Sequence, residues 1–103
     1  MGCGEAVKIF ILKLARNDLK EIREYLMEFG EIPPNKFRKS FEEFCGQVAD
    51  MPYMFPIYEH NPKYRKAVVI YEYIIFYTVD DIKNNIKIFR ILYGKRNSVL
   101  LLE

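Results

Sequence analysis

The residues best suited to chemistry in this chain are arginines, lysines and tyrosines, and they are unevenly spread. Residues 61–98 carry eight basic side chains, Lys63, Arg65, Lys66, Lys83, Lys87, Arg90, Lys95 and Arg96, against three acidic ones, Glu72, Asp80 and Asp81. That stretch is +5 and the rest of the chain −3, within a formal net charge of +2. Guanidinium groups bond phosphate and carboxylate in bidentate fashion. A cationic sheet of this kind attracts an acidic partner or a phosphate backbone. A plainer account of the same charges is that lysines guard solvated strand edges against sticking. Arg65, Lys66, Arg90, Lys95 and Arg96 are the candidate binding residues. Tyr73 and Tyr77 suit packing, with hydroxyls that reach the rim. His60, the single histidine, lies among prolines and is a weak catalytic candidate. Cys3 and Cys45 are isolated thiols that make neither a disulfide framework nor a zinc site. No metal or cofactor is expected.

Periodicity supplies the elements that must position these side chains. Residues 6–13 form a short β-branched run that predicts a strand. Leu19, Ile22, Leu26 and Phe29 then step by three and four, which predicts an amphipathic helix. Asp18 and Glu21 fall early in it, where negative charge suits the helix dipole, and Gly30 supplies a stop. Pro33 and Pro34 suit the start of a second helix. Its stripe is Phe37, Phe41, Phe44, Val48 and Met51, and it ends near Asp50. The short link predicts an antiparallel helix hairpin. Pro52, Pro56 and Pro62 forbid regular structure over 51–64, yet Tyr53, Phe55, Ile57 and Tyr58 are large enough to pack onto the body. Three strands follow, at 65–71, 73–79 and 86–93, with short links that imply antiparallel pairing. Strict alternation puts Lys87, Phe89, Ile91 and Tyr93 on one face of the last strand and Ile88, Arg90 and Leu92 on the other. The apolar run Val99, Leu100, Leu101 and Leu102 must dock on this domain or on a partner.

The order strand, helix, helix and three strands gives an α+β fold. A two-helix hairpin packs on a small, mainly antiparallel four-stranded sheet. The 103 residues make one domain, 1–103, half of it apolar and with eight Phe and eight Tyr to build a core. No apolar run reaches the length of a membrane span, and no signal-like segment opens the chain. The expectation is a soluble, cytoplasmic protein without membrane contact.

Three strings resemble the RelE/ParE toxins of type II toxin–antitoxin systems. The first is Ala15-Arg16-Asn17-Asp18-Leu19-Lys20-Glu21-Ile22 with Tyr25, similar to the family's opening helix. The second is Tyr73-Ile74-Ile75-Phe76-Tyr77-Thr78-Val79-Asp80, similar to its Tyr-x-Ile-x-Tyr-x-Val strand. The third, Ile88-Phe89-Arg90-Ile91-Leu92-Tyr93-Gly94-Lys95-Arg96-Asn97, is similar to its closing strand and Gly-Lys-Arg ending. The resemblance spans roughly residues 6–102. It implies a co-expressed antitoxin whose disordered segment wraps the toxin on binding. The basic sheet and the groove beside the helix hairpin are the seats it would take. A homodimer within such a complex stays open.

The resemblance implies one of two targets. ParE-like members bind DNA gyrase and block it; RelE-like members are mRNA interferases that cut mRNA on the ribosome. Cleavage by a 2′-hydroxyl needs a base, a stabiliser of the charged phosphorane and an acid for the leaving oxygen. In that reading Arg96 and Arg65 hold the scissile phosphate, and Tyr93 is a weak stand-in for the acid. Ile74 stands where the family's catalytic arginine would follow Tyr73, and no Tyr or His follows Arg96. Those gaps favour gyrase inhibition, with the ribonuclease as the alternative. A plain interaction module whose sheet accepts a partner strand is a third reading.

Overall fold

The computed structural model of the protein describes residues 7–95. Strand β1 (Lys8–Ile11) leads directly into helix α1 (Lys13–Met27), which a short turn joins to helix α2 (Ile32–Asp50). Strands β2 (Arg65–Val68), β3 (Tyr73–Asp80) and β4 (Asn85–Tyr93) complete one sheet in the order β1-β4-β3-β2. β1 runs parallel to β4, and the other pairs are antiparallel. This is the expected α+β arrangement, with the helix hairpin on one face of a mainly antiparallel sheet.

The helices pack where their apolar stripes meet alternate strand residues. Ala15, Ile22 and Leu26 of α1 and Phe37, Phe44 and Val48 of α2 bury against Ala67, Tyr73, Ile75, Tyr77, Ile86, Ile88 and Ile91. Pro33 and Pro34 begin α2, where missing N–H groups cost nothing. Gly30 closes α1 with φ 99°, a left-handed backbone that glycine adopts without penalty. The opposite sheet face has its own smaller cluster of Tyr58, Tyr64, Phe76 and Leu92, with Ile74 and Phe89 packed against it. The proline-rich segment covers part of this outer face with Tyr58 and Tyr64, while its Phe55 packs against the helix-side core and Tyr53 and Ile57, expected to pack, are exposed. It is tied down by Tyr58 N–H to Tyr64 O at 2.8 Å and Lys66 N–H to Pro56 O at 3.0 Å.

Four details depart from the sequence reading. Helix α1 begins at Lys13, with no break after β1, so Asp18 lies well inside it and is buried rather than at a solvated end. Phe29 falls beyond α1 and is 64% exposed, not part of the core stripe, and Met51 is likewise exposed. Strand β2 stops at Val68, because the chain turns tightly at Ile70–Glu72. Finally, β4 does not alternate strictly. Phe76 pairs with Arg90 but Tyr77 pairs with Ile88, which leaves Phe89 as the extra residue of a β-bulge. The bulge resets the alternation, so Ile86, Ile88 and Ile91 all face the helices, while Phe89 and Leu92 face outward.

Candidate functional site

The bulge aims Arg90 at α1. Its Nε and Nη2 donate to the two carboxylate oxygens of Asp18 at 2.8 and 2.9 Å. The Ile91 N–H donates to the same carboxylate at 2.9 Å. The pair is largely removed from solvent, with the Asp18 side chain 7% exposed. Hydrogen bonding to Asp18 raises the Arg90 pKa still further above its ordinary value, against the opposing effect of burial. Arg90 is thus bound within the α1–β4 seam.

The other predicted site residues are dispersed. Arg65 donates to the Phe55 carbonyl at 2.7 Å and the Tyr53 carbonyl at 3.4 Å, and its guanidinium lies 4.8 Å from the Tyr53 ring centre. Two carbonyls and a ring face occupy it, and they anchor the proline-rich segment to β2. Lys66, the next residue on β2, faces the other way and lies 5.7 Å from the Tyr58 ring centre. Lys63 lies over Tyr64 and Phe89 on that same outer face. Lys95 follows the end of β4, 3.7 Å from the Glu72 carboxylate and exposed. Arg96 lies outside the described residues. Tyr93 stacks edge-on with Tyr73, 5.8 Å between ring centres. It pairs with Tyr73 across the sheet, whereas Arg65 pairs with Tyr77 from the other side of β3. Four residues of strand, roughly 13 Å, therefore separate Tyr93 from Arg65 along the sheet. His60 is exposed beside Glu59. Among the described residues no group of three His, Cys, Asp or Glu side chains could hold a metal ion. No helix among them is long and apolar enough to cross a membrane.

What the structure does assemble is an aromatic groove of about 740 Å³ at the hairpin end of the molecule. Tyr25, Leu26 and Phe29 supply one wall, Pro33 the floor of the helix turn, and Tyr71, Glu72, Tyr73 and Tyr93 the facing wall. A smaller hollow lined by Asp18, Glu21 and Ile91 shares Tyr25, Tyr73 and Tyr93 with it. The groove therefore continues toward the Asp18–Arg90 pair. Burial, with Tyr25 and Tyr93 close by, pushes the Tyr73 phenol up from its ordinary pKa. The Tyr73 hydroxyl is thereby suited to hydrogen bonding rather than to acting as a base. The arrangement suits the grip of a peptide segment: apolar walls with polar tips at the rim.

The wall is held by an unusual turn. Tyr71 and Glu72 both have positive φ, 61° and 64°, where side-chain-bearing residues are disfavoured. Two consecutive left-handed residues make the primed turn that best matches strand twist, usually with Asn-Gly. Gly94 makes room for it: its N–H bonds the Glu72 carbonyl at 2.8 Å, and a Cβ there would lie 2.8 Å from the same oxygen. Nothing in Tyr-Glu signals such a turn, so this wall was not legible in the sequence, although the family resemblance implied a groove beside the helix hairpin. In the sequence Tyr25 stands out only through the family resemblance, and the spacing of Phe29 points to the core, yet both line the groove.

A family model described as the ParE toxin of type II toxin-antitoxin system, parDE, matches residues 9–98. A solved structure described as the chromosomal ParDE TA system from P. aeruginosa is similar in fold, with a TM-score of 0.73 at 16% identity. The match covers 87% of this chain and 98% of that one. No curated protein matches.

Proposed function

Because the chain belongs to the ParE toxin family of type II toxin–antitoxin systems, we propose that it inhibits DNA gyrase by binding it, and that it cleaves no RNA. The family gives it an antitoxin partner, and we assign the aromatic groove as the seat of that partner's segment. One observation carries the choice of target. Both arginines of the described sheet are engaged internally, Arg90 by the Asp18 carboxylate and Arg65 by the Phe55 and Tyr53 carbonyls. A phosphorane needs donors directed at the charge that develops on it. Guanidinium groups already directed at protein oxygens, Arg90 through two nitrogens and Arg65 through Nη1, are poorly placed to supply that stabilisation. Ile74 in place of a second strand arginine, and the separation of Tyr93 from Arg65, weigh the same way.

The test is a pair of assays on the purified protein, a gyrase supercoiling assay and a translating ribosome system. Loss of supercoiling without site-specific mRNA cuts is the expected pattern. Cuts in ribosome-bound mRNA, or supercoiling unaltered at high toxin, would overturn the proposal. Arg65→Ala sharpens it. If Arg65 is a structural anchor, the variant becomes more susceptible to proteolysis within 51–58. A phosphate-binding residue, by contrast, would abolish mRNA cutting and leave protease protection unchanged.

A further inference from the structure

The groove lies where the described chain leaves the sheet. Tyr93 forms part of its wall, the Gly94 N–H is bonded to the Glu72 carbonyl, and the Lys95 ammonium lies 3.7 Å from the Glu72 carboxylate. Beyond the described residues the sequence continues Arg96-Asn97-Ser98 and then Val99-Leu100-Leu101-Leu102. Three residues span about 10 Å when extended, so the apolar run starts within reach of the groove. The two match in chemistry. The groove walls are mainly rings and aliphatic carbon, with Tyr25 53% and Phe29 64% exposed. The run has four consecutive apolar side chains and no charge. A tethered segment also has an effective concentration of roughly millimolar, which a second molecule must exceed to take its place.

We propose that Val99, Leu100, Leu101 and Leu102 occupy the aromatic groove in cis, as a self-contact that an antitoxin segment displaces. The displacement, but not the contact itself, rests on the toxin–antitoxin reading. The left-handed Tyr71-Glu72 turn keeps the Tyr71 and Tyr73 side of the groove in place for this docking. Free toxin thereby shields the rings that would otherwise be an exposed apolar patch.

The chain contains no tryptophan, so Phe29→Trp installs a single fluorescent reporter in the groove wall. The full chain with this change is compared with one that also carries Leu100→Asp and Leu101→Asp. Each lost leucine lowers the docking equilibrium by about tenfold or more. The intact tail is expected to give blue-shifted emission protected from acrylamide. The double aspartate variant is expected to give red-shifted, readily quenched emission. A synthetic Ser-Val-Leu-Leu-Leu-Glu peptide at millimolar concentration should restore protection to it. Equal quenching in the two chains would overturn the proposal. So would protection that vanishes on dilution as the mass falls from dimer to monomer, because the occupant would then be a second copy. If the aspartates unfold the chain by far-UV dichroism, Leu100→Ser with Leu101→Ser replaces them with the same expected outcomes. Neither antitoxin nor gyrase enters the measurement, so it can fail while the gyrase proposal stands, or the reverse.

Discussion

Asp18 shows how one side chain can join two layers. It accepts from Arg90 twice and from the Ile91 N–H, and so fixes α1 against β4 at the bulge. Removing one partner of a buried ion pair leaves the other unsatisfied, which costs far more than the pair's net contribution. Asp18→Ala is therefore expected to destabilise the fold by about 3 kcal/mol. Asp18→Leu combined with Arg90→Met should recover most of that loss. Urea unfolding of the two variants checks both; equal losses in the single and double changes would disprove the account. The buried tyrosines give a pH signature. Burial raises the Tyr77 phenol above its ordinary value, and its hydroxyl donates to the Pro52 carbonyl at 3.0 Å. A group with a raised folded pKa contributes stability that is complete below its unfolded value, about 10, and lost as pH rises through the folded one. The thermal midpoint should thus fall above pH ~10, and Tyr77→Phe should lessen the fall. An identical alkaline decline in the variant would show that Tyr77 is not the group responsible.

At the scale of elements, the β2–β3 turn is where local preference and tertiary demand disagree. Two left-handed residues with side chains cost about 1–3 kcal/mol each, yet they carry Tyr71 and Glu72 into the groove wall. Glu72→Gly relieves one of them and is expected to stabilise the fold by about 1 kcal/mol. Gly94→Ala should do the opposite, by about 1–3 kcal/mol, because its Cβ meets a backbone oxygen that cannot swing aside. Thermal unfolding of the two variants should move in opposite directions, and a shift of the same sign in both would refute the strained-turn account. The proline-rich segment is a second such element. It has no regular structure, yet the Arg65 guanidinium and the buried Tyr58 and Tyr64 make it a cover for the outer sheet face.

Over the whole molecule, the positive half of the chain does not become one positive face. Lys63 and Lys66 share the outer face, as does Lys87, which alternates with inward Ile86 and Ile88. Arg65 and Arg90, the described arginines of that half, turn instead to carbonyl and carboxylate partners. Non-specific binding to duplex DNA should accordingly depend weakly on salt. A log–log slope no steeper than about −3 is expected if only these three lysines meet phosphates. A slope of about −4.5 in a fluorescence anisotropy titration would mean that the two arginines take part as well.

Much was determined by the chain alone. Steps of three and four placed both helices, and β-branched runs placed the strands. Leu26, Phe37, Phe44 and Ile75 were legible as core because an apolar stripe has a single favourable destination. The strings around Tyr25, Tyr77 and Gly94 pointed to the toxin family that the matching of residues 9–98 then established. Only the tertiary structure decided what the charges do. Whether Arg90 meets solvent or Asp18 depends on a bulge that shifts pairing by one residue, and no periodicity records that shift. The groove likewise depends on α1, the β2–β3 turn and the end of β4 meeting at one point. Local patterns report which face of an element is apolar. Which separate elements converge is set by long-range packing, and here that convergence made the site.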